Sequence, residues 1–198
     1  MDEQYTPVPE RDESHIPLSE SPQTPGWGKR LLKGLWSELV GTVIPAVIIA
    51  VLIHIFLAEA TQVSGQSMEP TLHTDDRVLI EKISYHFHPP RRGDIVVIHV
   101  ETRDHPLIKR IVGLPGETIS IHDGRVYING KPLQEEYMHG PTTGYLPPTR
   151  IPLMHYFVLG DNRQASSDSR YFGPVAREDI IGRAFFRYWP PDKIGPIR

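Results

Sequence analysis

An uncharged apolar run at residues 39–58 (LVGTVIPAVIIAVLIHIFLA) limits what this chain can fold into more than any other feature. A helix of that length is about 30 Å long, which is close to the thickness of the hydrocarbon core of a bilayer. Apolar residues would surround such a helix on all sides, so a buried helix of a soluble domain is the weaker interpretation. Pro45 is acceptable because membrane helices tolerate proline, and His54 lies near one end of the run.

A cleavable signal peptide is the alternative to a retained anchor, since Ala58-Glu59-Ala60 resembles a cleavage site. The run is longer than the roughly 7–15 apolar residues of such peptides, and it follows a long polar segment. We therefore predict a single transmembrane helix at 39–58, with the lipid bilayer as a partner.

The charges that flank this run predict its orientation. Lys29, Arg30 and Lys33 precede it, whereas the next Lys or Arg after it is Arg77. By the positive-inside rule, the N-terminus lies in the cytoplasm and the rest of the chain is extracytoplasmic. Residues 1–38 are polar, acidic and proline-rich, which predicts a disordered cytoplasmic tail.

Composition excludes several classes of function. The net charge of -3 is too small to produce a field that binds nucleic acid. The chain has no cysteine, which excludes disulfides, thiolate catalysis and cysteine zinc sites. Its histidines form no His-Glu-x-x-His pattern, so we expect neither a metal nor a cofactor. The sequence indicates no oligomeric state.

Residues 59–198 are long enough for one domain with a hydrophobic core, and their patterns are those of β-strands. Asp123-Gly124 and Asn129-Gly130 are typical of tight hairpin turns. Strand-like runs occur at 77–80, 94–100, 107–112, 118–122, 125–128 and 156–159. The predicted fold class is therefore mainly β, with one N-terminal transmembrane helix followed by a compact β-rich domain.

Ser67 lies in a loop-like stretch soon after the predicted anchor, VSGQSMEPTL at 63–72. Gly65 permits unusual backbone angles and Pro70 fixes the exit of the chain. Such a loop can offer the serine hydroxyl and the neighbouring amides to a substrate carbonyl. The alternative is an ordinary polar turn, because serine is common in loops.

Lys109 lies at the centre of the apolar run LIKRIV at 107–112. Alternation along a strand predicts that either Lys109 or Arg110 points inward. A lysine in apolar surroundings loses hydration of its charged form, which lowers its pKa. A fall from ~10.4 to ~7 costs roughly 4–5 kcal/mol, which indicates a use for a neutral amine. A solvated lysine on a surface sheet is the alternative.

A third polar run, GDNRQASSDSR at 160–170, directly follows a strand-like run. Its short polar side chains can fix a loop through local hydrogen bonds and Asp–Arg pairs. A solvated loop is the alternative.

The three stretches together resemble the type I signal peptidases (leader peptidases), a family of Ser-Lys serine endopeptidases. SMEPTL at 67–72 is similar to the nucleophile box of that family, KRIVGLPGE at 109–117 to its general-base box, and GDNRQASSDSR at 160–170 to its Gly-Asp-Asn-Arg box. The resemblance covers residues 39–190 and implies a catalytic role for the β-rich domain.

The resemblance also implies roles for the matching residues in catalysis. Ser67 is expected to be the nucleophile, Lys109 the general base, and the backbone N–H of Ser67 one oxyanion donor. Some relatives use a serine two positions before the nucleophile as a second donor. This chain has Gly65 there, so the second donor is not assigned.

Supporting roles are implied for four residues of the 160–170 loop. Ser166 is expected to hydrogen-bond and orient the Lys109 amine. Asp161, Asp168 and Arg170 are expected to hold the loop around the site.

The implied function is removal of signal peptides from secreted preproteins on the outer side of the membrane, by cleavage after small residues. Ser67 follows Ala58 by at most ~30 Å of extended chain, which keeps the site near the membrane. The alternatives are a self-cleaving Ser-Lys protease of the repressor type and an inactive membrane-tethered binding module. The absence of a DNA-binding module disfavours the first, and the joint presence of Ser67, Lys109 and Ser166 disfavours the second.

Overall fold

The computed structural model describes Trp36 and residues 39–56, 59–138 and 140–197, with the backbone alone for 51–56. Two consecutive helical segments occupy most of the apolar run. The first is a π-helix at Leu39–Val43, and the second is helix α1 at Ile44–Phe56. Of the helices within the described residues, none has the length and apolarity needed to cross a membrane. The predicted transmembrane helix is therefore not confirmed, and the predicted tail lies outside the described residues apart from Trp36.

β-Strands dominate the described residues from 59 onward, and each strand-like run of the sequence corresponds to one of them. Their bounds are β1 Glu59–Gln62, β2 Arg77–Glu81, β3 Ile95–Ile98, β4 Leu107–Gly113, β5 Thr118–His122, β6 Arg125–Ile128, β7 Lys131–Pro132, β8 Leu146–Arg150, β9 His155–Leu159, β10 Val175–Ala176, β11 Ile180–Trp189 and β12 Gly195–Pro196. Between them lie the short helices α2 Ser84–Phe87 and α3 Ser169–Phe172, and 3-10 turns at Arg177–Asp179 and Pro191–Lys193. The prediction of a mainly β fold is confirmed.

The strands form two antiparallel sheets. The larger sheet has the order β1-β2-β11-β3-β4-β9-β10, with β12 paired to β11, and the smaller sheet has the order β7-β6-β5-β8. The two predicted turns join β5 to β6 and β6 to β7. Asp123, Gly124, Asn129 and Gly130 all have positive φ, as two-residue hairpin turns of this kind require.

Strand β4 is buried on both of its faces. Val112 packs with residues of the smaller sheet such as Ile119, whereas Ile111 belongs to a separate cluster within the larger sheet. A strand covered on both sides has a continuous apolar sequence, which explains the run at 107–112. Lys109 is 3% exposed and Arg110 is 2% exposed, so both basic residues are buried, where alternation predicted one.

Candidate active site

Ser67 is held on the loop between β1 and β2 by apolar neighbours. Met68 and Leu72 are fully buried in a hydrophobic cluster that also contains Val63. At the base of the loop, the N–H of Val63 donates to the carbonyl oxygen of Asp76 at 2.8 Å. Ser67 is half-buried, so a well-anchored backbone presents its hydroxyl near the surface.

Lys109 reaches Ser67 from the central strand β4, where it pairs with Val96 of β3. Its Nζ lies 2.8 Å from Ser67 Oγ and donates a hydrogen bond of 2.9 Å to the carbonyl oxygen of Ile108. An amine at this distance can take the hydroxyl proton when it is neutral, because only the neutral form has a free lone pair. The two residues are therefore placed for proton transfer.

Burial lowers the pKa of the Lys109 amine to about 8, because the charged form loses its hydration. The negative charges of Asp168 and Asp161 oppose this fall, and the positive charge of Arg103 adds to it. With such a pKa, about one amine in ten is neutral at pH 7, compared with roughly one in a few thousand for a solvated lysine.

Asp161 connects the three sequence boxes through a buried carboxylate. It accepts two hydrogen bonds from the Arg110 guanidinium, at 2.8 and 2.7 Å, and one from the Thr71 hydroxyl at 2.6 Å. Thr71 follows the nucleophile and Arg110 follows the base, and neither was predicted as a site residue. The position of Arg110 inside an apolar strand was a sequence signal that could have identified it, since a buried charge needs a buried partner.

Asp168 and Arg170 fix the end of the 160–170 loop. Asp168 is fully buried and caps α3, accepting hydrogen bonds from the backbone N–H groups of Arg170 and Gly160. The Arg170 guanidinium donates to both carboxylate oxygens of Asp168, at 2.8 and 2.9 Å, and to the carbonyl oxygen of Arg163 at 2.7 Å.

Ser166 does not make the hydrogen bond to Lys109 that the resemblance implies. Its Oγ is buried and has no hydrogen-bond partner among the residues that the structure describes. The Ser166 hydroxyl and the Ser67 carbonyl oxygen both lie against Gly160, so closely that a Cβ there would collide with each. The Lys109 amine has the Ile108 carbonyl as its second partner instead.

Glu135, Tyr137 and Arg163 form a second buried network that the motifs did not reveal. Arg163 donates to the two carboxylate oxygens of Glu135, at 2.5 and 3.2 Å, and to the carbonyl oxygen of Gly160 at 2.8 Å. The Tyr137 hydroxyl donates to Glu135 at 3.0 Å, and its ring centroid lies 3.9 Å from the guanidinium carbon of Arg110. The segment between β7 and β8 is thereby tied to the base strand. Its sequence carries no motif, so its role was missed.

A cleft of about 470 Å³ opens beside Ser67 and Lys109. One wall is strand β1, which ends the larger sheet and pairs, within the described residues, with β2 alone. The chain that enters β4 at 105–109 also lines the cleft, as do apolar side chains such as Met68 and Leu107. Ser64 also lines the cleft, whereas Gly65 has no side chain to offer as the second oxyanion donor.

Comparison with known proteins places these features in a family. Residues 36–189 match the family described as Signal peptidase, peptidase S26. The chain is 45% identical over 168 residues to signal peptidase I of Leptolyngbya laminosa. These aligned residues cover 81% of this chain and 83% of that protein. It is 46% identical over 166 residues to probable signal peptidase I-2 of Synechocystis sp., with 81% and 76% of the two chains covered.

A chloroplast protein is also similar. Thylakoidal processing peptidase 1 of Arabidopsis thaliana is 36% identical over 180 residues, which cover 85% of this chain and 53% of that protein. The family match extends over most of the sequence and includes both Ser67 and Lys109. The chain therefore belongs to the type I signal peptidases, and it is a serine endopeptidase of that family.

Proposed function

We propose that this chain removes signal peptides from secreted preproteins with a Ser-Lys dyad, in which Ser67 is the nucleophile and Lys109 is the general base. The observation that carries the proposal is the distance of 2.8 Å between Lys109 Nζ and Ser67 Oγ. The pKa of Lys109, lowered to about 8 by burial, supports it because a useful fraction of the amine is neutral near pH 7.

Acylation begins when neutral Lys109 accepts the hydroxyl proton of Ser67 and the serine oxygen bonds to the scissile carbonyl carbon. The carbonyl oxygen becomes an oxyanion that accepts a hydrogen bond from the backbone N–H of Ser67. Collapse of this intermediate breaks the C–N bond, and the Lys109 ammonium donates its proton to the leaving amine. The base is then neutral again and the serine carries the acyl group.

Deacylation uses the same amine again, first as a base and then as an acid. Lys109 accepts a proton from a water molecule whose oxygen bonds to the acyl carbon. The second tetrahedral intermediate collapses with loss of the serine oxygen, which recovers its proton from the ammonium. The fixed position of the amine between its Ser67 and Ile108 contacts suits it for both transfers.

The substrate in this proposal is an extended segment of a secreted preprotein. Among the described residues, strand β1 is the edge strand of the larger sheet and lines the cleft, and an extended peptide can add to such an edge by backbone hydrogen bonds. The apolar lining near Ser67 suits small apolar side chains beside the scissile bond. Asp161, Asp168 and Arg170 hold the loop behind the dyad.

We also propose that residues 39–58 anchor the chain in a membrane, with the N-terminus in the cytoplasm and the catalytic domain on the opposite side. The support is the absence of charge in this run and the three basic residues that precede it, Lys29, Arg30 and Lys33. A bacterial-type plasma membrane or a thylakoid membrane fits the relatives found.

The test of the dyad is cleavage of a preprotein by the full chain solubilised in detergent. We expect the Ser67→Ala variant to lose roughly a thousandfold or more of the wild-type rate, because its nucleophilic oxygen is gone. Ser84→Ala, which removes a hydroxyl at the start of α2 outside the cleft, is the matched control and is expected to keep its activity. Cleavage by Ser67→Ala at the control rate would contradict the assignment of the nucleophile.

A further inference from the structure

Arg103 lies on the loop that joins β3 to β4, outside every motif of the sequence. Its backbone N–H donates to the carbonyl oxygen of Val100 at 2.8 Å, which closes a turn within the loop. The same loop continues into His105, which lines the cleft beside Ser67 and Lys109. Arg103 therefore lies two residues before a side chain that lines the cleft.

The Arg103 side chain links this loop to the loop that surrounds the base. Its Nη2 donates to Ser167 Oγ at 2.8 Å. Ser167 stands between Ser166, which lies against Gly160, and Asp168, which caps α3. One hydrogen bond thus joins the β3–β4 loop to the 160–170 loop.

The Lys109 amine is faced by charges of both signs. Asp161 and Asp168, from the chain after β9, raise its pKa, and Arg103 lowers it from the opposite loop. Each of the two carboxylates is paired with a buried arginine, Asp161 with Arg110 and Asp168 with Arg170. The neutral groups that contact the Lys109 amine are the Ser67 hydroxyl and the Ile108 carbonyl. Glu59 of β1 and His105 of the β3–β4 loop are the other titratable residues that line the cleft.

We propose that Arg103 is a positioning residue of the active site: fastened by Ser167, it holds the β3–β4 loop against the 160–170 loop and keeps its positive charge on the loop that leads into β4, the strand that carries Lys109. The proposal rests on the proposed Ser-Lys function. A guanidinium stays protonated at any working pH, so the charge that it supplies is constant. That charge disfavours the ammonium form of Lys109 and so favours the form that acts as a base.

The experiment is the pH dependence of kcat/KM for preprotein cleavage by the full chain in detergent, from about pH 6 to about pH 10. Three variants are compared with the wild type: Arg103→Gln removes the charge, Arg103→Lys keeps it, and Ser167→Ala removes the tether. Arg125→Gln is the matched control, because Arg125 is an exposed arginine on β6 of the smaller sheet and its loss changes the net charge equally.

For Arg103→Gln, we expect the ascending limb of the pH profile of kcat/KM to move to higher pH by roughly a few tenths of a unit. A shift of this size is typical for the removal of an exposed charge. Below the limb this shift is about a twofold loss of kcat/KM. Arg103→Lys should restore most of the wild-type profile, and Ser167→Ala should move the limb in the same direction by a smaller amount. At about 1 M salt the shift should shrink, because exposed charges are then screened within a few ångströms.

The result that overturns the proposal is an Arg103→Gln limb that coincides with those of the wild type and Arg125→Gln. A shift that is equally large at low and high salt would also overturn the electrostatic role. These outcomes are distinct from failure of the proposed function, in which the wild-type chain itself does not cleave the preprotein or Ser67→Ala cleaves it equally well.

Discussion

Lys109 carries its amine into a site where 3% of the residue is exposed, and this burial acts on stability as well as on catalysis. The folded-state pKa of about 8 lies below the ordinary value of 10.5. Between these two values the unfolded chain binds more protons than the folded chain, so stability rises with pH across that window. Below pH 8 the folded state carries the full cost of a buried ammonium, about 3 kcal/mol.

We therefore predict that Lys109→Met abolishes cleavage and yet stabilises the protein at pH 7, by up to about 3 kcal/mol. An apolar side chain of similar length has no charge to desolvate. Urea or thermal unfolding at neutral pH measures the gain, which should vanish at about pH 11, where the amine is neutral in both states. Equal destabilisation of the variant at both pH values would contradict a buried, pKa-shifted amine.

Individual residues differ in how far the sequence could predict them. Ser67 and Lys109 could be proposed because each belongs to a local motif, and the structure brings the two together. Ser166 also belongs to a motif, but the sequence could not predict that its hydroxyl would lie against Gly160 without a hydrogen bond among the described residues. Arg110 follows Lys109 directly, and it was missed because alternation along a strand assumes that one face is exposed.

At the scale of the elements, the 160–170 loop fits against the nucleophile loop through Gly160. A Cβ at this position would lie 2.5 Å from the Ser67 carbonyl oxygen, closer than real Cβ contacts, and would also collide with Ser166. The N–H of Asn162 donates to that same carbonyl oxygen at 3.0 Å. The two loops can therefore keep this contact only with a glycine at position 160.

We predict that Gly160→Ala lowers kcat/KM by roughly a hundredfold, because the added methyl group displaces the backbone of Ser67 from the amine of Lys109. Cleavage kinetics measure the loss. Gly195→Ala is the matched control, since a Cβ there meets no atom within 4 Å. The double variant Gly160→Ala, Ser166→Ala should stay impaired, because the clash with the Ser67 carbonyl remains. Wild-type activity of Gly160→Ala would show that the loops do not depend on this contact.

Strands β2 to β6 and β9 were predictable from local patterns, whereas short strands such as β1 and β7 and the connections between elements were not. β5 and β6 have alternating apolar residues and turn pairs with positive φ, so their bounds match the prediction. The buried pair of Glu135 and Arg163 joins residues far apart in sequence. Neither residue has a local pattern that identifies its partner, because the pairing follows from how the smaller sheet packs against β4 and β9.

At the scale of the whole molecule, the proposed topology places the tail and the catalytic domain on opposite sides of a membrane. The chain has no cysteine, so single cysteines can report on each side without background. We predict that Thr149→Cys, at an exposed position of β8, reacts with a membrane-impermeant maleimide in intact bacterial cells. Ser21→Cys, in the N-terminal segment, should react only after permeabilisation.

The cysteine-free parent chain is the control for these labelling reactions. The reverse pattern, with Ser21→Cys labelled in intact cells and Thr149→Cys protected, would contradict the proposed orientation. Labelling of both cysteines in intact cells, or of neither, would contradict a single membrane crossing between them.

The most direct test of the account is an NMR titration of the Lys109 side chain in the full chain with ¹³C-labelled lysine, assigned by comparison with Lys109→Met. The distance of 2.8 Å to Ser67 serves catalysis only if the amine can be neutral. We predict a titration midpoint near pH 8, well below that of the solvated lysines. A midpoint near 10.5, together with those lysines, would contradict it.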